Sequence, residues 1–133
     1  MSKHSFRIPI NPVPASRPRV SKWSTYYKEP YNTFLKTIPD IVKEVWRKEP
    51  LTSWLIVRVF VFPKRPKKPT NPYPAPDYDN YAKAVCDGME GVVYENDKYI
   101  VDGRCVKAYA QPGEDGYVLV EIEEIDGRPN VPD

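Results

Sequence analysis

Apolar positions along the chain fall into a few clear periodicities. Over residues 5–10, Phe6, Ile8 and Ile10 alternate with Ser5, Arg7 and Pro9, the pattern of a strand with one buried face. Pro9 lacks a backbone donor and so suits a sheet edge. From 31 to 49, Phe34, Leu35, Ile38, Ile41, Val42, Val45 and Trp46 recur every three or four residues, which predicts an amphipathic helix. Pro39 either kinks that helix or opens a second helical segment. Trp54–Phe62 (WLIVRVFVF) is apolar on nearly both faces and rich in β-branched and aromatic residues, as a central strand requires. Tyr81, Val85 and Met89, supported by Ala82, Ala84 and Cys86, predict a second helix over 79–90, ended by Gly88 and Gly91. Two strands follow, over 99–110 and Tyr117–Ile125, with PGEDG between them as a hairpin turn.

The connections are as informative as the elements. Residues 11–30 read as a long loop, broken by Pro12, Pro14 and Pro18 and charged by Arg17, Arg19, Lys22 and Lys28. Residues 63–76 (PKRPKKPTNPYPAP) carry six prolines and four basic residues, so an extended, polyproline-like arm is expected. The order β-α-β-α-β-β predicts an α+β fold, a mixed β-sheet with helices on one face. One domain over 1–125 and a polar tail over 126–133 account for the whole chain.

Composition narrows the class. A chain of 133 residues suits one domain, and 41% hydrophobic with 29% charged residues suits a globular one. Sixteen prolines exclude an all-helical bundle. No apolar run approaches the roughly 20 residues of a membrane span, and the N-terminus lacks the apolar core of a signal peptide. Cys86 and Cys105 have neither metal-like nor CxxC spacing, so a reduced cytoplasmic protein is expected. Charge changes the picture more. Residues 1–76 hold 15 Lys/Arg against 4 Asp/Glu, and residues 77–133 hold 5 against 14. A basic surface for a polyanion beside an acidic site for divalent cations is one reading, and a dipolar surface without function is the other.

Most familiar chemistry is absent. The lone histidine, His4, is expected in solvent near the terminus, which leaves no partner for a nucleophilic Ser or Cys. There is no phosphate-cradling GxxxxGK[ST] and no GxGxxG. A calcium loop from Asp77 fails because its sixth position is Ala82 and its twelfth Gly88. What remains is Asp77-Tyr78-Asp79-Asn80-Tyr81-Ala82-Lys83, with Asn96-Asp97 beyond the helix. Residues two apart in extended chain point the same way, so Asp77 and Asp79 converge if the helix begins after them. Repulsion between two such carboxylates is relieved by a hard cation such as Mg²⁺. Lys83, one turn on, is placed to meet a phosphate, and Asp97 joins if its loop folds back beside the helix start. The plain alternative makes Asp79 a helix cap, Asp77 a partner of the helix dipole, Asp79–Lys83 an ordinary ion pair and Asp97 a turn residue.

At these residues the chain resembles the RusA-type Holliday junction resolvases of bacteria and their phages. The family motif, Asp-x-Asp-Asn-x-x-Lys opening a helix with a further acid about twenty residues on, reads here as Asp77, Asp79, Asn80 and Lys83, then Asp97. Ile10-Asn11-Pro12, the Arg-Pro-Arg at 17–19 and Asp87 within the helix support the resemblance, which spans roughly 5–125. It implies metal-dependent phosphodiester hydrolysis by activated water, with Mg²⁺ (Mn²⁺ as the alternative) held by Asp77, Asp79 and Asp97 and with Lys83 stabilising charge. Where relatives often carry two adjacent acids in the second cluster, the first is Asn96 here.

The expectation is a homodimeric, structure-selective DNA endonuclease acting on four-way junctions and other branched DNA in the bacterial cytoplasm, phage-encoded or not. Arg17, Arg19, Lys22, Lys64, Arg65, Lys67 and Lys68 would hold phosphates without reading bases. Two opposed cuts need two sites, and the open sheet face or the segment with Trp23, Tyr26 and Tyr27 would join the copies. The competing readings are a non-catalytic branched-DNA-binding module and an adaptor using 63–76 as a polyproline ligand.

Overall fold

In chain order the elements are β1 (Lys3–Ile8), β2 (Arg19–Val20), β3 (Thr25–Tyr26), α1 (Tyr31–Val45), β4 (Trp54–Phe62), α2 (Tyr78–Met89), a 3-10 turn (Asp97–Tyr99), β5 (Ile100–Lys107) and β6 (Tyr117–Ile125), in a computed structural model that describes residues 2–132. Four strands form a mixed sheet in the order β1-β6-β4-β5, while β2 and β3 pair separately. The expected α+β fold with a mixed sheet is therefore present. β4 lies inside the sheet with Leu55, Val57, Val59 and Val61 buried, and β1 lies at an edge. Against the same face pack Phe34, Ile38 and Val42 of α1 and Tyr81, Val85 and Met89 of α2, so both helices cover one side.

The expected hairpin between the last two strands does not form. β5 pairs in parallel with β4, Val57 opposite Gly103 and Val59 opposite Cys105, while β6 runs antiparallel on the other side of β4. The turn itself exists, since the Glu114 amide donates to the Gln111 carbonyl at 2.9 Å around Pro112-Gly113. It sits within a connection that steps across the end of β4, where the Ala108 and Ala110 amides donate to the Val61 and Pro63 carbonyls. Turn chemistry is local and legible, whereas pairing follows from β4, which is apolar enough to take a neighbour on each side. Parallel neighbours need a long crossover, and α2 supplies it.

Smaller departures have local causes. α1 is continuous through Pro39 and stops at Val45, because Trp46 turns out to pack its ring on His4 and Phe6, at 5.0 and 5.6 Å between centroids. His4 is consequently covered rather than in solvent, 3.0 Å from the Glu124 carboxylate. Residues 11–30 contain the β2–β3 hairpin, while 63–76 carry neither helix nor strand, as expected. Gly88 does not end α2 but lies inside it, where a Cβ would stand 2.6 Å from Cγ2 of the fully buried Ile38. Gly91, at φ +84°, is the residue that turns the chain away. Gly88→Ala should therefore lower stability by about 1–3 kcal/mol through overpacking of α1 on α2. Denaturant unfolding checks this, and an unchanged midpoint would show that Ile38 yields without cost.

Candidate active site

The first turn of α2 positions the acidic pair. Prolines at 74 and 76 keep the chain extended up to Asp77, which has φ −63° and ψ 142°, and helix begins at Tyr78. Asp77 occupies the N-cap position, yet its side chain makes no capping hydrogen bond. Its carbonyl, not its carboxylate, accepts from the Asn80 and Tyr81 amides at 3.2 and 3.3 Å. Among the described residues neither Asp77 nor Asp79 forms an ion pair. Capping and ion pairing thus leave both carboxylates free.

They open into a cleft of about 550 Å³ lined also by Ser16, Arg17, Tyr27, Asn80 and Lys83. The N-terminal arm forms its opposite wall, tied down where the Ala15 amide donates to the Asn80 carbonyl at 2.9 Å. Tyr27 packs edge-on against Tyr31 of α1 at 5.1 Å. From the sheet, the Lys107 ammonium donates to the Pro76 carbonyl at 2.7 Å and so fixes the residue before Asp77. Lys83 bonds Asp87 at 3.1 Å, not Asp79, and that hydrogen bond and the Asp87 charge hold its ammonium above the ordinary lysine pKa. Lys83 accordingly carries a full positive charge beside two unneutralised carboxylates.

Asp97 is not brought to them. It stands at the opposite end of α2 beside Glu90, whose carboxyl is raised first by burial and then by the Asp97 charge. Parallel pairing is the reason: the loop before β5 must return to the end of the sheet where β4 starts, and Leu51 bridges Tyr94 there. Asp77 lies at the other end, near the close of β5. Asn96 caps the 3-10 turn by accepting from the Lys98 amide at 2.9 Å. Among the described residues no three His, Cys, Asp or Glu side chains gather as a metal-ligand group.

The model of the family Endodeoxyribonuclease RusA matches residues 9–123. The chain belongs to the RusA endodeoxyribonuclease family. No curated protein matches it. Family membership makes it a nuclease of the Holliday junction resolvase type, acting on branched DNA in recombination. The resemblance carried by the Asp77–Lys83 motif is upheld, and the adaptor and the non-catalytic module fall away.

In this RusA-family fold the predicted basic residues lie on two arms, of which the first reaches the cleft. Arg17 lines it directly, Arg19 lies on β2, and Lys22 is in the turn beyond. The second arm leaves β4 at Lys64, whose amide donates to Asn11 Oδ1 at 2.9 Å, so the bases of both arms are pinned together. Lys64 also lies 4.0 Å from Asp115, while Lys67 and Lys68 are exposed. Ser16, Tyr27 and Lys107 are site residues that sequence reasoning missed in this role. Tyr27 was visible only as one aromatic in a loop, and nothing marks Lys107 before β5 is placed.

Oxygen donors dominate the cleft. Burial lifts the thiols of Cys86 and Cys105 to about 11, so neither supplies a thiolate at neutral pH. Two free carboxylates and the Asn80 amide form a donor set suited to a hard divalent cation, and Arg17 and Lys83 suit a phosphate beside it. Changing Lys64, Arg65, Lys67 and Lys68 together to Ala should weaken duplex binding and flatten its salt dependence, by about 0.9 in log–log slope per lost contact. Filter binding across a salt series reads the slope, and an unchanged one would take this arm off the DNA.

Proposed function

We propose that this protein is a homodimeric, Mg²⁺-dependent resolvase that nicks two opposed strands of a four-way junction at symmetry-related positions. The observation that carries it is the pair of unpartnered carboxylates, Asp77 and Asp79, lining one cleft with Arg17 and Lys83. Asp77 and Asp79 would hold the cation, with Mn²⁺ a substitute of the same coordination preference. Bound there, the cation supplies Lewis-acid charge to the phosphate and lowers the pKa of water. Arg17 orients the scissile phosphate, and Lys83, anchored by Asp87, holds its ammonium where negative charge grows on the phosphate oxygens. Lys107 acts at one remove, through the backbone before Asp77.

Asp97 keeps the acidic role that the family motif assigns to it. With the loops as they stand, it reaches Asp77 and Asp79 only across a contact between copies or by rearrangement of the chain before β5. The sheet face away from the helices gives a second copy a surface to cover. Phe62 and Tyr117 stack there at 4.7 Å, with Arg7 over the Tyr117 ring, and Trp54 is half exposed. Two-fold pairing is the commonest closed assembly and matches the symmetry of the substrate.

Asp77→Asn and Asp79→Asn should each reduce cleavage to background while leaving junction binding intact or tighter, since a charge repelling phosphate is gone. Asp97→Asn should also abolish cleavage. Lys83→Ala should slow single-turnover cleavage about 10²–10³-fold with little change in affinity. Near wild-type rates for the Asp77 or Asp79 variant in Mg²⁺ would remove the metal assignment. A supercoiled cruciform plasmid tests the dimer: paired cuts linearise it, whereas a product of nicked circles alone would contradict two coupled sites.

A further inference from the structure

The β2–β3 hairpin is ordered by its own hydrogen bonds while all four of its strand residues are exposed. Arg19 pairs with Tyr26 and Val20 with Thr25, and the Ser21 hydroxyl accepts from the Trp23 and Ser24 amides at 3.3 and 3.0 Å. The Ser21 amide donates to the Ser24 carbonyl at 2.8 Å, which closes the turn. On this pinned turn the Trp23 side chain is 85% exposed, and Val20 beside it is 80% exposed. An indole left in water forfeits the burial that normally repays so large an apolar group. Lys22 holds its ammonium over that ring at 5.1 Å from the centroid.

Position gives the exposed ring a ligand. Arg17, two residues before β2, lines the acidic cleft, and the same arm is bonded to α2 through Ala15 and Asn80. Arg17, Arg19 and Lys28 also line a groove of about 650 Å³ at the foot of the hairpin. A strand with its phosphate at Arg17 and Lys83 would meet Arg19 and Lys28 on its way to the hairpin. The group a nucleic acid can offer an indole is the face of a base, and in a continuous duplex those faces are already stacked. Where a branch point is opened, the faces lining the exchange are not.

Resting on the junction-endonuclease reading, we infer that Trp23 is a specificity-determining residue, which stacks on an unstacked nucleobase at the strand exchange while the basic arm holds the adjoining phosphates. Base–aromatic stacking is tolerant of sequence, so this contact selects branched over linear DNA without selecting bases.

Four-way junctions carrying 2-aminopurine at each nucleotide flanking the branch, bound in EDTA so that nothing is cut, test the inference. Wild-type protein should change the fluorescence at one or more of these positions. Trp23→Ala should abolish that change and bind the junction about ten-fold more weakly, with duplex affinity and circular dichroism unchanged, while Trp23→Phe should retain part of both. Asp77→Asn should keep the fluorescence change while losing cleavage, so the two readings fail separately. A Trp23→Ala protein with the wild-type fluorescence change and junction preference would overturn the assignment. Sedimentation of that variant as a monomer beside a dimeric wild type would overturn it too, and would give the indole to a second copy.

Discussion

Parallel pairing of β4 with β5 governs where every other functional part of this molecule stands. Two parallel neighbours require the chain to cross back over the sheet, and α2 makes that crossing. Its first turn therefore lies at the end of the sheet where β4 and β5 close. The basic arm leaves β4 at that end, and Lys107 at the close of β5 bonds Pro76 there. The N-terminal arm reaches the same turn through its bond to Asn80. Acids and cations from three separated stretches of sequence meet because one strand pair runs in one direction.

The same constraint separates what the sequence discloses from what it conceals. Elements that bury a periodic face, β4 and α2 above all, are legible because their apolar spacing is their packing. The acidic pair is legible too, since proline keeps the chain extended up to Asp77 and the helix starts directly after it. Pairing partners are not written locally: the Gln111–Glu114 turn looks alike whether its strands are neighbours or lie either side of β4. The place of Asp97 is not written locally either, because the loop before β5 returns to the end of the sheet where β4 starts rather than folding back beside the start of α2. Gly88 fails for a related reason. A glycine that admits Ile38 and a glycine that ends a helix are the same letter, and only the approach of α1 distinguishes them.

The split of charge along the chain acquires a spatial meaning here. The basic half supplies two arms whose bases are joined at Asn11 and Lys64, and the first of them lines the cleft with the helix start that the acidic half supplies. Lys83 is the cation of the acidic half that lines the cleft, and it bonds Asp87, so that among the described residues Asp77 and Asp79 form no ion pair. Carboxylates left without an ion pair next to a basic arm make poor scaffolding. They make good sense as holders of a divalent cation that a phosphate also touches.

The most direct measurement of this account is strand cleavage of a synthetic four-way junction by the wild-type protein, with Mg²⁺ and with EDTA, each strand end-labelled in turn. The account predicts nicks in two opposed strands at symmetry-related positions with Mg²⁺, and a bound but intact junction with EDTA. Undiminished cutting in EDTA, or a junction that is bound and never cut when Mg²⁺ is present, would contradict it.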